Sequence, residues 1–236
     1  ILSPNQNTII NEYDSLVINW SAMDNIGLNF TNIFFSHNSD EFIPIGSVDA
    51  NTFSFSYIIP SGVSDNAQIL LEIKDNYNNS SSIFSGAFSI LDNTPPLVNL
   101  IDQDTLFTQG NVELQWNAED NTALRSHHLY FSENLDTEFL FIDSVDAVLS
   151  SFSWSLPNIV SNESRFSIIS YDVVNLFSSD TTDFFAIIDT ISPNIIITHP
   201  NIETVILEQT YLEITWTALD NIALDSIDVY YSSGSE

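Results

Sequence analysis

A chain of 236 residues with 32 Asp and Glu against only three Lys and Arg has a formal net charge of −29. That balance excludes nucleic acid and anionic membrane surfaces as partners, because both need clustered basic residues to displace counterions. Cysteine is absent, which excludes disulfides, thiolate metal sites and a cysteine nucleophile, while 44% hydrophobic residues with 17 Phe, 8 Tyr and 4 Trp are enough for packed cores.

Taken in order, the first clear element runs from Asp14 to Trp20, where Leu16, Ile18 and Trp20 alternate with Val17 and Asn19 in the period of a half-buried strand. The pattern returns as Val112, Leu114, Trp116 and as Leu212, Ile214, Trp216, so the Trp spacings are 96 and 100 residues. Each Trp opens the same frame, with Ala two residues on, Asp-Asn at four and five, and Leu at eight in the second and third copies and also at Leu28 in the first. An extended apolar run ending in two aromatics and Ser follows each time: Ile33-Phe34-Phe35-Ser36, Leu129-Tyr130-Phe131-Ser132 and Val229-Tyr230-Tyr231-Ser232. Such self-similarity at a fixed period marks tandem modules of about 100 residues.

The later parts of the repeat occur twice, 97 residues apart. Ser54-Phe55-Ser56-Tyr57 up to Pro60 answers Ser151-Phe152-Ser153-Trp154 up to Pro157, and Gln68 to Asp75 answers Arg165 to Asp172. Asp75-x-x-Asn78 then answers Asp172-x-x-Asn175, before final strands over Ser82 to Leu91 and Thr182 to Ile188. With no helical periodicity of useful length, about seven short strands per copy predict an all-β fold of tandem antiparallel β-sandwich modules joined end to end. The predicted boundaries are residues 1–92, 93–189 and 190–236, the last holding only the first three strands of a sandwich. Asp92-Asn93-Thr94-Pro95-Pro96 and Asp189-Thr190-Ile191-Ser192-Pro193 link the modules, and their prolines make these stiff hinges.

These features together resemble bacterial immunoglobulin-like repeats of the fibronectin type III-like and cadherin-like kind, found in tandem in secreted and cell-surface proteins. The resemblance rests on Trp20, Trp116 and Trp216 at the end of the second strand, the Asp-Asn loops, the aromatic third strands, the Asp-x-x-Asn loops and the Asp-then-Pro linkers. The immunoglobulin cysteine pair is missing, and the acidic loops match strict cadherin calcium motifs only loosely. The resemblance implies an extracellular or cell-surface protein and places the loop after the second strand and the loop after the sixth at the pole facing the preceding module.

That placement gathers Asp92, Asn93, Glu119, Asp120, Asn121, Asp172 and Asn175 at one pole, with Asp24, Asn25, Asp75 and Asn78 as the set of the first module and Asp189, Asp220 and Asn221 as that of the third. Ca²⁺ takes about six to eight oxygens from carboxylates, amides, carbonyls and water, so three converging acidic segments predict calcium at the module junctions. Asp and Asn are also ordinary turn residues that accept hydrogen bonds from backbone two residues on, and an Asx-turn accounts for each Asp-Asn without any ion. Both readings stand on the sequence.

The remaining chemistry-bearing residues point away from catalysis. Phosphate-cradling Gly loops, a His-Glu-x-x-His helix and a Gly-x-Ser-x-Gly elbow are all missing. His127 and His128 are adjacent on a strand and face opposite sides, His127 inward, so they do not share a metal. Trp20, Trp116 and Trp216 read as core, and Trp154 as core or partly exposed. The expected function is a non-catalytic structural segment of an extracellular stalk, adhesin or filament. Its partners would be further repeats of the same polypeptide or other copies of the chain. The other reading is a spacer or glycan-binding region of a secreted enzyme, touching a glycan or protein surface. No run of about 18 apolar residues predicts a membrane span. Because Ile1 is neither an initiator Met nor part of a leader, and the third copy stops after its third strand, the chain reads as an excerpt whose last sheet is completed either by following sequence or by a strand of another chain.

Overall fold

In the computed structural model, which describes residues 1–232, Val112, Leu114 and Trp116 are buried while Glu113, Gln115 and Asn117 between them are exposed. This is the period-2 pattern of a strand with one face in the core. Among the described residues there are nineteen strands and no helix, and hence no helix long and apolar enough to cross a membrane.

The first repeat holds β1 (Ile9–Asn11), β2 (Ser15–Asn19), β3 (Leu28–Ser36), β4 (Ile43–Asp49), β5 (Ser54–Ile58), β6 (Ser64–Asp75), β7 (Ser80–Phe84) and β8 (Phe88–Leu91). One sheet runs β1-β8-β6-β3-β4, with β7 also on β6, and a second is the pair β2-β5. Their inner faces share one core, in which Leu16, Ile18 and Trp20 meet Ile33, Phe35, Ile69, Leu71, Phe88 and Ile90. Cross-strand pairs Ile33↔Leu71 and Phe35↔Ile69 lie directly opposite on β3 and β6, the arrangement that stabilises an antiparallel ladder through its side chains. Two sheets closing on one apolar core make a β-sandwich.

The second repeat holds β9 (Leu97–Leu100), β10 (Leu106–Phe107), β11 (Asn111–Glu119), β12 (Leu124–Ser132), β13 (Leu140–Asp146), β14 (Ser151–Ser155), β15 (Ser161–Asp172), β16 (Phe177–Thr181) and β17 (Phe185–Ile188). Its sheets are β10-β17-β15-β12-β13, with β16 on β15, and β14-β11-β9. Trp154 joins the core, with its ring 5.0 Å from Phe131 and 5.7 Å from Phe166. His127 is buried, with Nδ1 2.8 Å from the Ser170 hydroxyl.

Two expectations need correction. The final strand expected over Ser82 to Leu91 is broken into β7 and β8, and the one expected over Thr182 to Ile188 begins only at Phe185, as β17, with a separate strand β16 before it. The break falls where the Ser85 hydroxyl accepts the Ile69 N–H at 3.0 Å and, 97 residues on, the Thr182 hydroxyl accepts the Phe166 N–H at 3.0 Å. A side-chain oxygen there takes the place of a ladder carbonyl. In the third repeat, β18 (Asn194–His199) pairs with β19 (Thr215–Leu219), but the strand expected at Val229–Ser232 is not formed. Among the described residues of the third repeat, no strand corresponds to β6 or β15, on which β3 and β12 pair. Trp216 is accordingly 40% exposed, against 3% for Trp20 and 2% for Trp116.

The chain divides into two compact units. The first comprises Ile1–Val98, Ala118–His127 and Ile169–Ser179, and the second Asn99–Asn117, His128–Ile168 and the residues from Asp180 on. The first unit thus takes in the last residues of β11, the start of β12 and the end of β15, which positions the acidic loops described next.

Candidate cation site and polar hub

The Asp-Asn pairs that follow Trp20, Trp116 and Trp216 all form Asx-turns. Asp24 Oδ1 accepts the N–H groups of Ile26 and Gly27 at 2.8 and 2.9 Å, Asp120 Oδ1 those of Thr122 and Ala123 at 2.9 and 3.0 Å, and Asp220 Oδ1 those of Ile222 and Ala223 at 2.9 and 3.1 Å. Each turn uses one carboxylate oxygen. The other remains available, so the turn and a cation are compatible at the same aspartate.

The Asp-x-x-Asn loops also share one geometry. Asp172 Oδ1 accepts from the N–H groups of Val174 and Leu176 at 2.9 and 2.8 Å, and Asp75 Oδ1 from those of Tyr77 and Asn79 at 2.8 Å each. Asn175 and Asn78 take the left-handed backbone at φ 75° and 68°, a conformation that Asn tolerates better than most residues.

In the first unit, carboxylate oxygens of Asp92, Asp120 and Asp172 all lie within 4.8 Å of one another. Asp92 accepts from Thr94 N–H at 3.0 Å through Oδ1 and from the Thr122 hydroxyl at 2.6 Å through Oδ2. That same hydroxyl stands 2.7 Å from Asp120 Oδ1, but with a single hydrogen it cannot donate to both acids at once. Asp120 Oδ2 and Asp172 Oδ2 are buried without a hydrogen-bond partner, and Asp172 is wholly buried. Like charges this close, with orphaned buried oxygens, are unfavourable unless something positive joins them. Oxygens around Ca²⁺ at about 2.3–2.6 Å stand up to about 5 Å apart, so the cluster has the dimensions of a calcium shell. The chain's three strong bases lie against aromatic rings: Lys74 over Phe30, Arg125 over Tyr171, and Arg165 over Phe139 and Phe184.

The other residues expected at this pole take different places. The Asn121 amide turns to Glu12, donating to both of its oxygens at 3.1 and 3.0 Å. Asn93 contributes its backbone N–H to Glu12 at 3.2 Å, Asn175 accepts from Arg125 through Oδ1, and Glu119 is exposed. Asp24, Asn25 and Asn78 are likewise exposed. Glu12 is the residue that sequence reasoning missed. It is fully buried, and it also accepts from Gly62 N–H at 2.8 Å and from the Thr94 hydroxyl. Burial alone would push its carboxyl up, but the bonds from Thr94, Gly62 and Asn93 outweigh that and hold it at about 2, against an ordinary 4.5.

The second unit carries a related network with less charge. Thr108 stands where Glu12 stands in the first repeat, and Asn158 where Ser61 stands. Asp189 Oδ1 accepts from Ile191 N–H at 3.0 Å, from Asn221 at 3.1 Å and from the Thr108 hydroxyl at 3.2 Å. These bonds, led by that of Ile191, hold the Asp189 carboxyl below the usual range. Asn221 also donates to Asn158 Oδ1 at 3.1 Å.

No protein-family model matches the chain, and no curated protein matches it. Solved structures do resemble it. Fibronectin(III)-like modules of CbhA from Clostridium thermocellum are 15% identical, with 79% of this chain and 92% of that one covered and a TM-score of 0.35. The I-band fragment I67–I69 from titin is 10% identical, covering 91% and 73%, with a TM-score of 0.38. Extracellular domains 3–5 of Drosophila OTK are 11% identical, covering 90% and 72%, with a TM-score of 0.33. These neighbours are fibronectin III-like and immunoglobulin-like tandem domains, the kind of module that the sequence resembles. The assignment as β-sandwiches rests on the sheets and cores described above.

Proposed function

We propose that the chain is a non-catalytic structural segment of an extracellular tandem-sandwich protein, a stalk, adhesin or filament, whose linker around Asp92 is stiffened by calcium. The observation that carries the cation is the pair of buried, unpartnered oxygens Asp120 Oδ2 and Asp172 Oδ2 beside Asp92. The three carboxylates supply the charged part of the shell, and backbone carbonyls and water complete it. Bound there, the ion ties the linker to the turn after β11 and the turn after β15, and it removes the repulsion among three acids. The surplus of carboxylates over bases suits a saline, calcium-containing setting, and the partners on this reading are further repeats or other copies of the chain.

Calorimetric titration with CaCl₂ tests this directly. The expected result is saturable binding that Asp172→Asn and Asp120→Asn each weaken by tenfold or more. Absence of binding by the unaltered chain would remove the cation from the account.

A further inference from the structure

The turn after β6 and the turn after β15 match bond for bond. In the first, Asp75 N–H donates to Asn79 C=O at 3.0 Å, Asn78 N–H to Asp75 C=O at 3.2 Å, and Asn76 N–H to Gly27 C=O at 3.3 Å. In the second, Asp172 N–H donates to Leu176 C=O at 3.1 Å, Asn175 N–H to Asp172 C=O at 3.4 Å, and Val173 N–H to Ala123 C=O at 3.1 Å. Both aspartates spend Oδ1 on two backbone N–H groups. At the aspartate the turns differ in one bond. The Asn79 side-chain amide donates to Asp75 Oδ2 at 2.6 Å, and foremost through that bond it holds the Asp75 carboxyl below the usual range. The residue in its place is Leu176, which has nothing to donate, and Asp172 Oδ2 is left buried and bare.

We infer that this position, 79 in the first repeat and 176 in the second, decides whether the turn aspartate takes a cation or an internal amide. An Asn closes the second oxygen from within the turn, so the aspartate needs no ion. A Leu supplies no donor to that oxygen, on an aspartate whose carboxylate lies within 4.8 Å of those of Asp92 and Asp120, so a cation can take the place that the amide fills in the first repeat. The inference rests on the cation reading of the preceding section and goes further by naming the residue that specifies which repeat binds. It distinguishes two turns whose acids, Asp24 and Asp75 in the first repeat and Asp120 and Asp172 in the second, answer one another in the sequence.

The test is calcium binding by the full chain and by Leu176→Asn and Leu176→Ala, with CaCl₂ as the titrant, together with melting temperature in chelator. Leu176→Asn should lose tenfold or more in calcium affinity while melting higher than the unaltered chain in chelator, because the new amide satisfies Asp172 Oδ2. Leu176→Ala, which adds no donor, should keep its affinity within about threefold, as expected when no charged ligand is removed. Equal affinity of Leu176→Asn and the unaltered chain would overturn the inference while leaving the cation site intact. Loss of affinity in Leu176→Ala as severe as in Leu176→Asn would also overturn it, since packing rather than donation would then control the site. No binding by the unaltered chain would overturn both proposals. The melting comparison also bears on the point without calcium, because an Asn variant no more stable in chelator than the Ala variant contradicts the proposed amide bond.

Discussion

The Asn121 amide donates to both oxygens of Glu12, 109 residues away in sequence, at 3.1 and 3.0 Å. The bond is charge-assisted, and its acceptor is fully buried. Asn121→Ala is therefore expected to destabilise the first unit by about 2 kcal/mol in chemical denaturation, in the range for a hydrogen bond to a charged group. Asn121→Asp should be worse, because it sets a second carboxylate against Glu12.

Glu12 also sets a pH dependence. Its carboxyl falls from 4.5 to about 2 on folding, so the ionised form is the one the fold favours. The resulting stabilisation is fully present above about pH 4.5 and is lost as pH falls towards 2. It is worth on the order of 3 kcal/mol by linkage. Denaturation in chelator across that window should show the unaltered chain losing stability more steeply than Glu12→Gln, and parallel curves would contradict this role.

The three repeated tryptophans separate by burial. Trp20→Ala and Trp116→Ala each remove a ring from a closed core and should destabilise their sandwiches by about 3–5 kcal/mol. Trp216, 40% exposed, should lose less than either on the same change, in keeping with the smaller area it removes from water. Denaturant midpoints for the three variants test the ordering.

Gly86 lies in the break between β7 and β8. A Cβ placed there would stand 2.7 Å from the backbone nitrogen of Gln6, and backbone gives way less readily than a side-chain tip. Gly86→Ala is expected to destabilise the first sandwich by about 1–3 kcal/mol, as overpacking does, read as a lower denaturation midpoint.

What was legible in the sequence follows from how local its cause is. The alternation around Trp20 and Trp116 is set by one buried face, so it marks β2 and β11 directly. The Asx-turns at Asp24, Asp120 and Asp220 close within three residues and are equally visible. The break at Ser85 is not, because it depends on a hydroxyl meeting Ile69 across the sheet. Glu12 left no signal either, since its partners come from Gly62, Asn93 and Asn121, and Thr108 stands in its place in the next repeat. The grouping of Asp92, Asp120 and Asp172 followed from the resemblance to tandem sandwiches, whereas the bare oxygen of Asp172 emerged only when its turn was set beside that of Asp75.

The most direct measurement is the melting temperature of the full chain in millimolar CaCl₂ and in chelator, with Asp172→Asn alongside. A ligand that binds only the folded state adds about 2.7 kcal/mol at a hundred times its dissociation constant. The account predicts a rise of several degrees with calcium, reversed by chelator and lost in Asp172→Asn. A melting temperature indifferent to calcium, or a rise that survives in Asp172→Asn, would contradict it.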